Sequence, residues 1–510
     1  ALDLGGMTHD LSPCSLLPLA RGPCARPASP ESRLSITPVS SPARAVAAPA
    51  ETPARFVSGS VLRHVVVMTA TGTAGVVAIF LVDMLSLLYI SWLGDATLTA
   101  GVGLATILVF IATSINVGLM IAVGALVARR LGAGDAQDAR RVATSAVIWS
   151  FAAAGVATAL LMPSAGFILD LMGARGDVHA VALHYCLIVL PGNLTMAVGM
   201  ACSGILRATG DARRAMNLTL IGAGFTAMLD PILIFGLGLG VTGAAIGMLT
   251  SRILFAVIGL YFVQRYHAML VRPRLGALLD HARPVFAVAI PAILTSVASP
   301  VAMAFLAGVI ARFGAEAIAG SAVIERITPV AFGGLFALSG AVGPILGQNW
   351  GAERFDRMRA TLRNAMRVTA LYVLVIWVLL LLGRDLIVAM FDASGDAATL
   401  VVFFCLVAGP IWFFNGLLFV ANASFNNLGF PFYATAFNWG RATLGTMPPA
   451  LAGASIAGPY GAILGAGIGS ALFGCLAILT AFHTLSRLER VGAGPPEIAQ
   501  KGVTNRERRG

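Results

Sequence analysis

Charge is what this 510-residue chain has least of: Asp, Glu, Lys and Arg make up 11% of it, where soluble domains carry about 25%. With 58% hydrophobic residues, that shortfall excludes a soluble globular fold. Lysine is nearly missing; Lys501 is the only one, and every other basic residue is arginine. Cysteine is sparse and unpatterned. Cys14 and Cys24 lie near the N-terminus, while Cys186, Cys202, Cys405 and Cys475 sit in apolar runs with no C-x-x-C. Neither a metal centre nor dithiol redox chemistry is favoured by such spacing. No H-E-x-x-H, G-x-S-x-G or phosphate-binding loop occurs, which argues against an intramembrane enzyme and against a nucleotide-driven pump. No metal and no organic cofactor is expected. The net charge of +11 sits between apolar runs and in the tails, so it reads as membrane topology and not as a nucleic-acid face.

What the chain has in abundance is apolar runs of membrane length, about 20 residues each. Twelve helices are expected, at about 62–92, 97–128, 141–164, 178–205, 214–237, 241–264, 284–312, 316–347, 360–383, 397–425, 430–457 and 459–486. Residues 1–56, rich in Pro, Ser, Ala and Arg, lack the surface to bury and read as a disordered tail. Residues 57–275 form a first lobe, 276–486 a second, and 487–510 a basic tail. Arginines cluster in the links after helices 2, 4, 6 and 8 (Arg129, Arg130, Arg207 and Arg354 among them), against Arg175, Arg312 and Arg384 on the other side. Basic links favour the cytoplasm, so both termini are expected inside the cell membrane.

The chain repeats itself. VARRLGAGD resembles LGQNWGAER with Gly132 on Gly351, and LRATGD resembles FNNLGF with Gly210 on Gly429, each pair 219 residues apart. Two six-helix halves of like orientation follow, with a pseudo-twofold axis along the membrane normal.

Asp83 lies inside the apolar run Val76 to Leu93, and Asp230 lies inside the fifth run. A carboxylate at that depth faces a bundle interior or a wet cavity. It serves either as a functional acid or as packing glue tied to a helix partner. Glu325 is a third such acid; an ion pair to Arg441 or a cation-binding role would account for it. Arg252 reads as structural. His64 and His281, at helix ends, are expected on the surface.

The motifs LVARRLGAGD, ILRATGDARRAMN, LDPILIFGLGLGVTGAA and VGPILGQNWGAE, in this order, resemble those of the multidrug and toxic compound extrusion (MATE) transporters. The resemblance covers about residues 62–486. It implies an all-α membrane protein of two six-helix lobes that exports amphipathic, cationic organic compounds or drugs in exchange for H+ or Na+, as a monomer in the cytoplasmic membrane. It places coupling and substrate binding at Asp83 (in FLVDM) and Asp230 (in LDP), with Tyr185, Ser203, Thr226 and Thr250 around them. In the second lobe, acids that some members use for Na+ fall here on Ser299 and Asn415, which weakens a Na+ site there. A flippase for lipid-linked precursors is the alternative; it would need a strongly basic cavity.

Overall fold

The computed structural model describes residues 54–495. The expected tails therefore fall mostly outside the described residues. Thirteen α-helices and two π-helical turns build twelve spans, and the protein is an all-α integral membrane protein of two six-helix lobes. The first lobe holds α1 (Val61–Ser91), α2 (Ala96–Gly132), α3 (Ala136–Leu171), α4 (Gly176–Val189) with α5 (Gly192–Ala208), α6 (Ala212–Pro231) with the π turn Ile232–Gly236, and α7 (Gly240–His267). The second holds α8 (Leu275–Ile310), α9 (Ala315–Gly351), α10 (Phe355–Met390), α11 (Gly395–Asn427), α12 (Pro431–Gly440), the π turn Arg441–Thr446, and α13 (Met447–Val491). The helices run longer than the apolar runs. Polar first turns are helical too, because Asp95, Asp135 and Asp211 each cap a helix N-terminus through the side chain.

Two local features shape the spans. α4 and α5 are one crossing bent by 51° at Pro191, which lacks the N–H that a continuous helix needs there. Asn116 and Asn193 fill that bend, with Asn116 Nδ2 donating to Asn193 Oδ1 at 2.7 Å. α13 joins the end of the eleventh crossing, begun by α12 and its π turn, to the twelfth. Its backbone leaves the helix at Ala457 (φ −135°) and Gly458 (φ +60°), and the chain returns on itself as a hairpin. There Gly453 faces Gly461, Pro449 faces Gly465 and Gly445 faces Gly469, close enough that no Cβ would fit at these glycines.

The repeat is visible as contacts. Each lobe lays its first two spans on the other: α1 packs on α9, and α2 on α8. At the arginine-rich end, the equivalent glycines Gly132 and Gly351 press against the backbone of Gln348 and Arg129, themselves an equivalent pair. Arg129 donates to the carbonyls of Asn427 (3.1 Å) and Asn426 (2.8 Å) at the end of α11. Gln348 Nε2 donates to the Ala208 carbonyl (2.7 Å) at the end of α5. Ala208 and Asn427 share the repeat's offset, so each lobe caps a helix end of the other, satisfying carbonyls that a helix leaves unpaired. The left-handed positions obey the same offset: Gly210 (φ +80°) with Gly429 (φ +82°), and Gly134 (φ +77°) with Glu353 (φ +56°).

Two expectations change. Residues 54–56, the described end of the expected tail, are packed: Phe56 is 2% exposed, its N–H donates to Gln348 Oε1 at 2.8 Å, and Arg357 donates to its carbonyl. His281 is buried, within 3.1 Å of Ser145 Oγ and 3.9 Å of Asp138.

At the arginine-rich end Asp211 caps α6 and bonds His267 (2.9 Å) and Arg214, whose guanidinium lies over the Tyr266 ring. Burial pushes the Asp211 carboxyl up, but the hydrogen bonds from His267 and Arg214 outweigh it and hold it below the usual carboxylate range. A carboxyl depressed by folding stabilises above its unfolded value and loses that stabilisation as pH falls through its folded one. Asp211→Asn is therefore expected to destabilise the protein in detergent by about 2 kcal/mol. The deficit, read as Tm against wild type, should hold from pH 8 to pH 5 and shrink below about pH 4.

Candidate functional site

The site is built where α1, α4, α6 and α7 converge. Asp83 and Ser86 lie one turn apart and share a face of α1. Ser86 Oγ donates to Asp230 Oδ2 at 2.5 Å, which brings the face carrying Asp83 against Asp230. Asp230 ends α6 just before Pro231 and the π turn. It is 2% exposed, and its second oxygen has no hydrogen-bond partner. That oxygen rests over Gly247 of α7, where a Cβ would collide with it. Glycine at 247 thus makes the room the carboxylate occupies.

One turn before Asp230 on α6, Thr226 donates to Ser251 Oγ of α7 at 2.7 Å. Tyr185 of α4 is buried, with its hydroxyl 3.7 Å from Met248 Sδ. Arg252 of α7 is 8% exposed and one of its terminal nitrogens has no partner. Its stem lies across Gly192, in the bend of the fourth span. Arg252 is carried on α7, which packs against α1, α4 and α6, the helices that bear Asp83, Tyr185 and Asp230. The cluster is therefore two carboxylates and one guanidinium. Arg252, read as structural from the sequence, is its counter-charge.

The other residues singled out from the sequence fall as follows. Thr250 bonds back to Ile246 on its own helix (2.8 Å), and it is Ser251 that faces α6. Ser203 is buried near the arginine-rich end of α5, roughly 25 Å along the chain from Tyr185, and takes no part in the cluster. Asn415 also bonds its own helix, at Ile411 (3.2 Å). Ser299 accepts a hydrogen bond from Arg441 Nη2 at 3.1 Å. Among the described residues Glu325 forms no ion pair with Arg441; the expected pairing is absent, because Arg441 turns to α8. No cluster of metal-ligating side chains occurs among the described residues.

Asp83, Glu325 and Arg326 are exposed at membrane depth. Charged side chains at that depth face a bundle interior or a wet cavity and not lipid tails. The register of α1 on α9 fixes their level. A Cβ at Gly72 would lie 3.1 Å from Ala337, and one at Gly333 would lie 3.2 Å from Val76. Two further turns along both helices set Asp83 level with Arg326.

Comparison with known proteins agrees with this architecture. The family model MatE matches twice, at residues 73–232 and 291–450, one match per lobe. A protein named FAD transporter from Shewanella oneidensis is 24% identical over 429 residues, covering 82% of this chain and 93% of its own. Multidrug export protein MepA of Staphylococcus aureus is 25% identical over 342 residues, 66% of this chain and 75% of its own. A solved structure described as the outward-facing conformation of a multidrug resistance MATE family transporter superposes with a TM-score of 0.80. It is 22% identical and covers 86% of this chain and 98% of that one.

Proposed function

The chain belongs to the MatE family, and from that premise we propose that it is a secondary antiporter of the cytoplasmic membrane. It exports amphipathic organic compounds in exchange for protons, with Asp83 and Asp230 as the coupling pair. The observation that carries this reading is the Ser86–Asp230 hydrogen bond, because it draws the face that bears Asp83 onto Asp230. Two carboxyl groups in one pocket take up and release protons as a unit. A cationic group competes with those protons for the same oxygens. The lobes meet at the arginine-rich end, taken as cytoplasmic, which supports an outward-open state with that end sealed.

Protons are favoured over Na+ on two grounds. The inner oxygen of Asp230 rests over Gly247, which brings no side-chain oxygen to it. In the second lobe, a guanidinium already bonds Ser299. One relative carries FAD by its name and another exports drugs by its name, so the cargo must be argued from the cleft itself. Energetically, one pH unit and 100 mV together drive a neutral cargo against one proton to a gradient of about 500-fold.

The test is transport in reconstituted vesicles with pH and Na+ gradients imposed separately. A pH gradient alone should drive a fluorescent cationic dye, and a Na+ gradient alone should not. Drive by Na+ at constant pH would overturn proton coupling.

A further inference from the structure

The second lobe holds a guanidinium within a membrane span that pairs with no acid among the described residues. Arg441 opens the π turn Arg441–Thr446, where the Thr446 hydroxyl donates to its carbonyl at 2.8 Å. Its side chain crosses to α8, and Nη2 donates to Ser299 Oγ at 3.1 Å. Its Nε is buried without a hydrogen-bond partner, and its side-chain hydrogen-bond partner at Nη2 is a hydroxyl and not a carboxylate. The other polar groups along this seam between α8 and the eleventh span are uncharged. The hydroxyls of Thr295 and Thr435 lie 3.2 Å apart, and the Trp439 indole donates to the Leu294 carbonyl at 3.0 Å. Arg326 on α9, exposed to the cleft, adds a second guanidinium in the same lobe. A buried guanidinium is costly unless an anion meets it, and a planar fork of donors is the natural partner of a carboxylate or phosphate.

We infer that Arg441, propped by Ser299, receives an acidic group of the transported compound. The cargo class is then amphipathic zwitterions: a cationic group meets the Asp83–Asp230 pair in the first lobe, and an acidic group meets Arg441 in the second. This deepens the proton-exchange reading and rests on it. The two groups lie in different lobes, and the register of α1 on α9 sets Asp83 level with Arg326 of the second. Such a cargo is electrically neutral overall. Exchange for one proton therefore moves one charge inward and is accelerated by an inside-negative potential.

The test uses tetramethylrhodamine, which carries a free carboxyl, and its methyl ester, which lacks that charge on the same body. In vesicles with an imposed pH gradient, wild type should take the acid with a KM at least about tenfold below that of the ester. Arg441→Gln should raise the KM of the acid by at least about tenfold and leave the ester unchanged. Arg441→Lys should keep part of the preference, and Ser299→Ala should weaken it less than Arg441→Gln does. Equal handling of acid and ester by wild type would overturn the inference. So would an equal loss of both dyes in Arg441→Gln with Tm unchanged. If a pH gradient drives neither dye, the proton-exchange reading fails instead. Dye binding to the purified protein, measured by fluorescence anisotropy, then tests Arg441 independently: an acid-over-ester preference lost in Arg441→Gln supports the subsite, and no preference refutes it.

Discussion

Asp83→Asn and Asp230→Asn should each reduce pH-driven transport to the level of vesicles without protein, but for different reasons. Asp83 is exposed to the cleft, so its charge is available to cargo as well as to protons. Asp230 is 2% exposed and sits behind Ser86, where a proton reaches it more readily than a bulky cation does. Asp83→Asn is therefore expected to lose dye binding together with transport. Asp230→Asn should keep dye binding and dye-for-dye exchange across the membrane while losing the response to pH. Asparagine at 230 still accepts from Ser86 through its carbonyl oxygen, and it is nearly the size of the carboxylate over Gly247. Packing is then preserved and the loss is chemical. Full proton-driven export by either variant would remove the acid pair from the mechanism.

The repeat gives neither acid a counterpart. Carried forward by its offset of 219, Asp83 falls on Ala302 and Asp230 on Pro449. A duplicated scaffold thus holds chemistry of two kinds, an acid pair in the first lobe and, in the second, a guanidinium bonded to a hydroxyl. The charges themselves were legible in the sequence, because a charge inside an apolar run cannot be hidden; their pairing was not. The twelve spans were legible too, since membrane length and apolar content leave few alternatives. Ser86 and Ser251 were not legible. A hydroxyl in a helix bonds its own backbone as readily as a neighbour, as Thr250 does, and only the packing of α1 on α6 and of α6 on α7 decides between them. Gly247 was hidden among many glycines, and its role depends on where one carboxylate oxygen points. The Arg441 partner was misread for a related reason: Glu325 offers the opposite charge, but the π turn aims the side chain at α8. Ser203 was carried over by position along a helix, and the Pro191 bend and the length of α5 leave it far from the acids.

The seal at the arginine-rich end makes the second large prediction. Gly132 and Gly351 lie where α2 and α9 cross, and a methyl group at either would overlap a backbone carbonyl, that of Gln348 or that of Arg129. Backbone on both sides cannot rotate away as a side chain can, so the helices must separate. Overpacking of this kind costs about 1–3 kcal/mol, charged only to the state in which the lobes touch here. Gly132→Ala and Gly351→Ala should each shift the balance toward the state open at this end by about 5- to 150-fold. The small cavity between α1, α6 and α9, lined by Thr71, Arg207 and Thr219 among others, reports it. A Thr219→Cys probe, in a background without native cysteines, should react with an impermeant maleimide from the arginine-rich face faster in proportion to that shift. Gly103→Ala, on the same helix with open space around it, should leave labelling unchanged. Because the two crossings are related by the repeat, the two alanine variants should behave alike. Unchanged labelling in both, with transport lost, would mean that this crossing persists through the cycle and that the lobes part elsewhere.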